Sequence, residues 1–210
     1  MTLTCERAVS ILAGGQSRRM GRDKAQLRWG AVSWLEHAAR TALEAVSNVA
    51  IVGRCRTADW PLQGVAFLDD ATPDSGPMGG LLAALRWAKE LDEDNRVLAL
   101  ACDTPQLASG ALEWIFEQAA QLQLQHGLIV RNNGRIEPLF SIYTARCLPL
   151  LEQRFGSNEY LSGRFSLRAF IESADFKYVD APDTIAAMLH NFNTPDDVRA
   201  LADFQDGKQL

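Results

Sequence analysis

No apolar run in this chain approaches the length needed to cross a bilayer, which excludes a helical membrane protein. There is no C-x-x-C pair. Cys5, Cys55, Cys102 and Cys147 stand far apart, so neither a disulfide framework nor a zinc site is indicated and reduced thiols are expected. His37, His126 and His190 are equally isolated, which argues against a histidine metal centre. Positive charge is not in excess either. With 21 Lys and Arg against 26 Asp and Glu, the net charge of −5 argues against a nucleic-acid footprint, while leaving room for local basic patches around an anion. No Pro/Gly/Ser-rich linker, repeat or low-complexity tract divides the 210 residues, and a single domain over residues 1–210 is expected. Glu6 and Arg7 interrupt the first apolar stretch, so Met1 to Ser10 does not read as an export signal and a cytoplasmic location is the default. What is present, 47% hydrophobic and 22% charged residues, is the balance of a soluble globular protein.

Short apolar or β-branched runs alternate with segments of helical period. Strands are expected at Ala8 to Leu12, Val49 to Val52, Val65 to Leu68 and Val97 to Cys102. Between them, Trp34, Leu35, Ala38, Ala39, Ala42, Leu43 and Val46 recur at helical spacing, and a second helix carrying Leu81, Leu82, Leu85, Trp87 and Ala88 is expected to follow a GPMGG turn. This is the alternation of a doubly wound α/β fold with a mostly parallel sheet. The second half is less regular. It predicts a helix through Leu112 to Leu122, a strand near Leu128 to Val130, and an Asn133-Gly134 turn leading to Leu139 to Tyr143, which together suggest a small antiparallel addition. Further helices are expected across Ala145 to Phe155 and Leu167 to Ile171, and a late strand at Phe176 to Val179. Near the end, Thr194 reads as the cap of a helix with Pro195 at its first position and Asp196 and Asp197 in its first turn.

Ligands in open α/β sheets bind outside the carboxyl ends of the strands, at the topological switch point. Three polar loops sit at such ends: the glycine loop after the first strand, Asp69 and Asp70 after the third, and Asp103 after VLALAC. The first, ILAGGQSRRMGRDKAQL, carries Gly14 and Gly15, whose backbone can approach an anion closely, followed by the cations Arg18, Arg19 and Lys24. It is neither a Walker A loop, because Gly21 is followed by Arg22, Asp23, Lys24 and Ala25, nor a G-x-G-x-x-G dinucleotide fingerprint. It resembles instead the LAGGxSxRMGxDKA signature of the molybdenum cofactor guanylyltransferases, the MobA-like branch of the nucleotidyltransferases. The resemblance extends, with weaker motifs, to about Ala202 and implies a Rossmann-like nucleotidyltransferase fold.

Read alone, Asp103 in ACDTPQL either caps the turn leaving its strand or binds a metal; the similar C-D-T-P segment of the family implies Mg²⁺. Asp70, ahead of Gly76 and Gly80, resembles the family's acidic residue at the nucleotide, with Asp69 one position away as the competing choice. The resemblance places Leu12, Ala13, Gly14, Gly15, Lys24, Asp70, Gly76, Gly80 and Asp103 around the nucleotide and gives Arg19, Lys24 and Asp103 catalytic roles. Asn191 and Asn193, in N-x-N-T-P, could hold the acceptor or phosphates, or make a tight turn and helix cap. Arg135 and Arg164, with Arg168 near the latter, are candidate contacts for an anionic pterin phosphate, against the alternative of surface ion pairs. No side-chain role is assigned to Val52, Gly53 or Arg54 at the second strand's exit, where some relatives use an Asn.

The implied activity is transfer of GMP from GTP, with Mg²⁺, to the terminal phosphate of molybdenum-bound molybdopterin. The implied partners are those small molecules and transient contacts with cofactor-biosynthesis proteins or apo-molybdoenzymes, with neither nucleic acid nor membrane. The rival readings are cytidylyl transfer to the same acceptor and a nucleotide-binding maturation factor without turnover. Nucleotidyl transfer to a sugar or polyol phosphate is more distant, since the G-x-G-x-R loop of that class is missing.

Overall fold

The computed structural model describes residues 7–14, 23–71, 75–155, 166–194 and 196–199. Strands β1 (Arg7–Leu12), β4 (Asn48–Val52), β5 (Val65–Leu68) and β6 (Arg96–Ala101) form the parallel half of an eight-stranded sheet. The other half contains β7 (Gly127–Asn132), β8 (Arg135–Ile136), β9 (Phe140–Thr144) and β10 (Phe176–Asp180), and a separate two-stranded ribbon joins β2 (Arg28–Trp29) to β3 (Val32–Ser33). Along the main sheet the order is β10-β7-β9-β6-β1-β4-β5, with β8 paired to β7. β1 is thus central, parallel to β4 on one side and β6 on the other, and the switch point lies at its carboxyl end.

Helices cover both faces because strand side chains alternate. Val9 and Ile11 of β1 and Leu98 and Leu100 of β6 point into one layer, where α1 (Trp34–Ala45) and α3 (Ser109–Ala120) pack. Ala8, Leu12, Val97 and Ala99 point into the other, covered by α2 (Gly76–Leu91), α4 (Leu148–Phe155) and α5 (Leu167–Glu172). A short α6 (Asp183–Ala186) follows β10. Local signals set the helix starts: Ser33 Oγ accepts the Glu36 amide at 3.1 Å at the head of α1, and Ser166 Oγ accepts the Ala169 amide at 3.2 Å at the head of α5. No helix among the described residues is long and apolar enough to cross a membrane.

The α/β, mostly parallel architecture matches the expectation from sequence, and three details differ. GPMGG is not a turn ahead of the helix but its beginning: Pro77 suits a first helical turn, and a Cβ on Gly80 would stand 3.2 Å from Leu12 Cδ2, so the missing side chain lets α2 lie close on β1. The small antiparallel addition expected in the second half is present, with β9 lying between β6 and β7 and antiparallel to both. The Asn133-Gly134 turn leads first to β8, whose Arg135 pairs with Asn132. The β2–β3 ribbon, too short for a periodic signal, was not anticipated. At the C-terminal end, Thr194 Oγ1 accepts the Asp197 amide at 3.2 Å while Asp197 Oδ2 accepts the Thr194 amide at 2.8 Å, a reciprocal cap as expected; Pro195 lies outside the described residues.

Candidate active site

Three cavities follow one another along the carboxyl edge of the sheet. The first, about 230 Å³, lies between Leu12, Ala13 and Gly14 on one side and Lys24, Arg54 and Asp103 on the other. The second, about 330 Å³, shares Asp103 and Leu139 with it and has mostly apolar walls from Pro77, Pro138, Phe140, Leu167 and Leu189. The third, about 740 Å³, shares Glu137, Leu189, Asn191 and Asn193 with the second and adds Arg135, Asn132 and Asp183. Asp103 therefore stands where the first two meet, and the two asparagines where the second and third meet.

Lys24 joins the loops after β1 and β6. Its Nζ donates to Asp103 Oδ2 at 3.0 Å and to Asn193 Oδ1 at 2.6 Å, and the side chains of Lys24 and Asp103 are only 16% and 18% exposed. Asp103 Oδ1 is buried with no hydrogen-bond partner among the described residues. A buried carboxylate oxygen without a donor is costly unless a cation completes it. The described residues contain no group of three His, Cys, Asp or Glu able to hold a metal by themselves. That donor set fits Mg²⁺, which takes one or two carboxylates and completes its shell with phosphate oxygens and water. The adjacent Cys102 thiol is pushed up to about 12 by burial, with the Asp103 charge adding to it, so it stays protonated at neutral pH and is a poor nucleophile.

The backbone of residues 190–194 crosses the carboxyl end of β6 and holds Asn193 in place. The Phe192 amide donates to the Asp103 carbonyl at 3.0 Å, and the Phe192 ring meets Trp34 edge-on at 6.1 Å. Asp197 Oδ2 accepts the Asn193 amide at 2.8 Å. Asn193 is thus both a turn residue, as one reading of N-x-N-T-P expects, and a partner of Lys24.

Asp70, not the exposed Asp69, faces the glycine loop. A Cβ on Gly14 would stand 3.0 Å from Asp70 Oδ2, and one on Gly80 would stand 3.6 Å from Oδ1. Burial pushes the Asp70 carboxyl above its ordinary value, and the charge of Asp69 adds to the effect. An acid raised on folding contributes its stability at low pH and loses it as pH rises through the folded value. Asp70→Asn is therefore expected to raise the urea midpoint near neutral pH, the gain shrinking toward about pH 4 as the native carboxyl protonates. A variant less stable than wild type at neutral pH would mean that the carboxylate is held by a favourable partner.

The remaining expected residues divide plainly. Arg135 reaches the third cavity, while Arg168 is an exposed surface partner of Glu172 at 2.9 Å. Gly76 has nothing within 4 Å of its Cβ position among the described residues, and the Cβ direction of Gly80 is filled by Leu12 and Asp70. Gly15, Arg18, Arg19, Gly163 and Arg164 lie outside the described residues. One contact was not anticipated. Arg54, at the exit of β4, donates to both Asp23 carboxylate oxygens at 2.5 Å and to the Ala13 carbonyl at 3.0 Å. Its place at the same sheet edge as the glycine loop was the one available signal.

Residues 9–176 match the family of MobA-like NTP transferase domains. Among curated relatives, a molybdenum cofactor guanylyltransferase of Rhizobium johnstonii is 30% identical over 193 residues, covering 90% of this chain and 88% of that protein. A probable molybdenum cofactor guanylyltransferase of Opitutus terrae is 29% identical over 190 residues, covering 90% and 92%. In fold, the chain is similar to the crystal structure of molybdopterin-guanine dinucleotide biosynthesis protein A from Archaeoglobus fulgidus, with a TM-score of 0.75 at 21% identity over 96% of this chain and 99% of that one. With the family matched over most of its length and the same fold in a solved relative, the chain belongs to the MobA-like NTP transferase family and is a nucleotidyltransferase.

Proposed function

We propose that this chain, acting as a single domain over residues 1–210, transfers GMP from GTP to the terminal phosphate of molybdenum-bound molybdopterin and releases pyrophosphate. The observation that carries the reading is the Lys24–Asp103 pair at 3.0 Å, set where two cavities meet at the switch point of the sheet and beside an Asp103 Oδ1 that has no hydrogen-bond partner among the described residues. The guanylyltransferase names of the relatives supply the base and the acceptor.

An oxygen of the acceptor phosphate forms a bond to the α-phosphorus of GTP as the bond to the bridging oxygen of pyrophosphate breaks, and no covalent enzyme intermediate is required. The backbone of Leu12, Ala13, Gly14 and Gly15 cradles the nucleotide, with Asp70 and the start of α2, including Gly76 and Gly80, on its nucleoside side. Lys24 and Arg19 bring positive charge to the β and γ phosphates, whose charge grows as pyrophosphate departs. Asp103 would hold Mg²⁺, which when bound neutralises phosphate charge and orients the leaving group. Arg135, Arg164, Asn191 and Asn193 would bind the acceptor, and Asn193 would connect it to Lys24 through their 2.6 Å contact. Catalysis is then mainly positioning and charge neutralisation. A cytoplasmic location and transient contact with cofactor-biosynthesis proteins or apo-molybdoenzymes belong to the same proposal.

Pyrophosphate release from GTP, and separately from CTP, with Mg²⁺ and molybdenum-loaded molybdopterin tests the reading. Release with GTP, dependent on the acceptor, is the expected result. Preference for CTP would move the base while sparing the mechanism, and silence with both would point to another acceptor or to a binder without turnover.

A further inference from the structure

Arg54 follows Gly53, which is wedged against the glycine loop. Gly53 has φ +80°, its amide donates to the Leu68 carbonyl at 2.9 Å, and a Cβ there would stand 2.8 Å from Gly14 Cα. From that point the Arg54 side chain spans two places that sequence separates. Nε donates to the Ala13 carbonyl at 3.0 Å, on the near flank of residues 15–22, and the guanidinium fork grips Asp23 on the far flank with two contacts of 2.5 Å. Asp23 Oδ1 also accepts the Ala25 amide at 3.1 Å, capping the short 3₁₀ turn that carries Lys24. The two side chains are 28% and 27% exposed, so the pair is partly desolvated and bidentate, unlike an open surface pair.

We propose that Arg54 is the positioning residue of the phosphate site: it fixes Ala13 and Gly14 relative to Asp23 and Lys24, and it neutralises a carboxylate that would otherwise stand beside an incoming triphosphate. The neutralising role rests on the nucleotide reading given above; the mechanical hold does not. Arg54 acts through Asp23 and the Ala13 carbonyl. Its planar fork is the reason for Arg here, since a Lys ammonium offers a point charge and cannot grip both carboxylate oxygens in parallel.

The test is a double-mutant cycle in the full chain with Arg54→Ala, Asp23→Asn and their combination, read as the Kd of Mg²⁺–GTP. Asn retains the oxygen that caps Ala25 but not the charge. Each single change is expected to weaken binding by about tenfold, and the double variant to be no more than about twofold worse than the weaker single, because the two residues act as one unit. Arg54→Lys should fall between wild type and Arg54→Ala. In the nucleotide-free protein, amide exchange at Ala13 and Ala25 should quicken in Arg54→Ala. If Arg54→Ala costs as much affinity in the Asp23→Asn background as in wild type, Arg54 touches the nucleotide itself and the positioning role is overturned. Unchanged exchange at both amides also overturns it. Should wild type bind no GTP, the nucleotide reading fails by itself, and the exchange rates still decide whether Arg54 holds the two flanks.

Discussion

Replacing Lys24 by Ala is expected to lower kcat/KM for pyrophosphate release about a thousandfold while lowering Tm by no more than about 8 °C. The two losses differ because they arise in different states. In the ligand-free protein Lys24 is one half of a partly exposed ion pair with Asp103, and its removal costs about 1–2 kcal/mol, between the values for open and fully buried pairs. In the transition state its ammonium would face charge that grows on the leaving pyrophosphate in a site with little water, where a positioned cation is worth about 4 kcal/mol. Steady-state kinetics and calorimetry on one preparation separate the two quantities. If the activity lost corresponds to the stability lost, Lys24 is only a support for Asp103.

Gly127→Ala is expected to be the most damaging single methyl group added to the sheet, costing about 3–5 kcal/mol of stability, a large share of the 5–15 kcal/mol that a domain typically has. Gly127 opens β7 with φ +151°, and a Cβ there would stand 2.0 Å from the Ile142 carbonyl oxygen and 3.1 Å from the Phe176 ring. The obstacle is backbone, so no rotamer change relieves it. Gly127 is also paired on both sides, with Tyr143 of β9 and Phe176 of β10, so a displacement propagates to both neighbours. Gly110→Ala is the control: it lies in α3 with open space at the Cβ position, and Ala is the better helix former by up to about 1 kcal/mol. Urea midpoints should move in opposite directions for the two variants. An unchanged midpoint for Gly127→Ala would mean that β9 can yield without loss.

The parts of the fold legible in the sequence are those with a period. Val9 and Ile11 alternating with Ala8 and Leu12 announce a strand buried on both faces, and the spacing of Leu35, Ala39 and Ala42 announces α1. Glycine misled where it serves packing instead of turning: Gly79 and Gly80 read as a loop, yet both are buried in the first turns of α2. Strand order carries no local signal, so the insertion of β9 between β6 and β7 could not be read from Phe140 to Thr144. At the site, Lys24, Asp70 and Asp103 were visible as polar residues at strand ends. The grip of Arg54 on Asp23 was not, because a contact across 31 positions leaves no pattern in either segment. The same holds for Asn193, which was recognisable as a motif residue but not as the partner of Lys24 across 169 positions.

That last separation orders events in time. During synthesis the glycine loop and Lys24 leave the ribosome early, and β6 with Asp103 follows about midway. The turn carrying Phe192 and Asn193 emerges only after β10, the last of the described strands, has been made. A nascent chain can therefore make all the described strands while Lys24 still lacks Asn193 as a partner. A chain interrupted just short of Phe192 would hold every described strand yet lack both the Phe192 amide on the Asp103 carbonyl and the Asn193 side chain on Lys24.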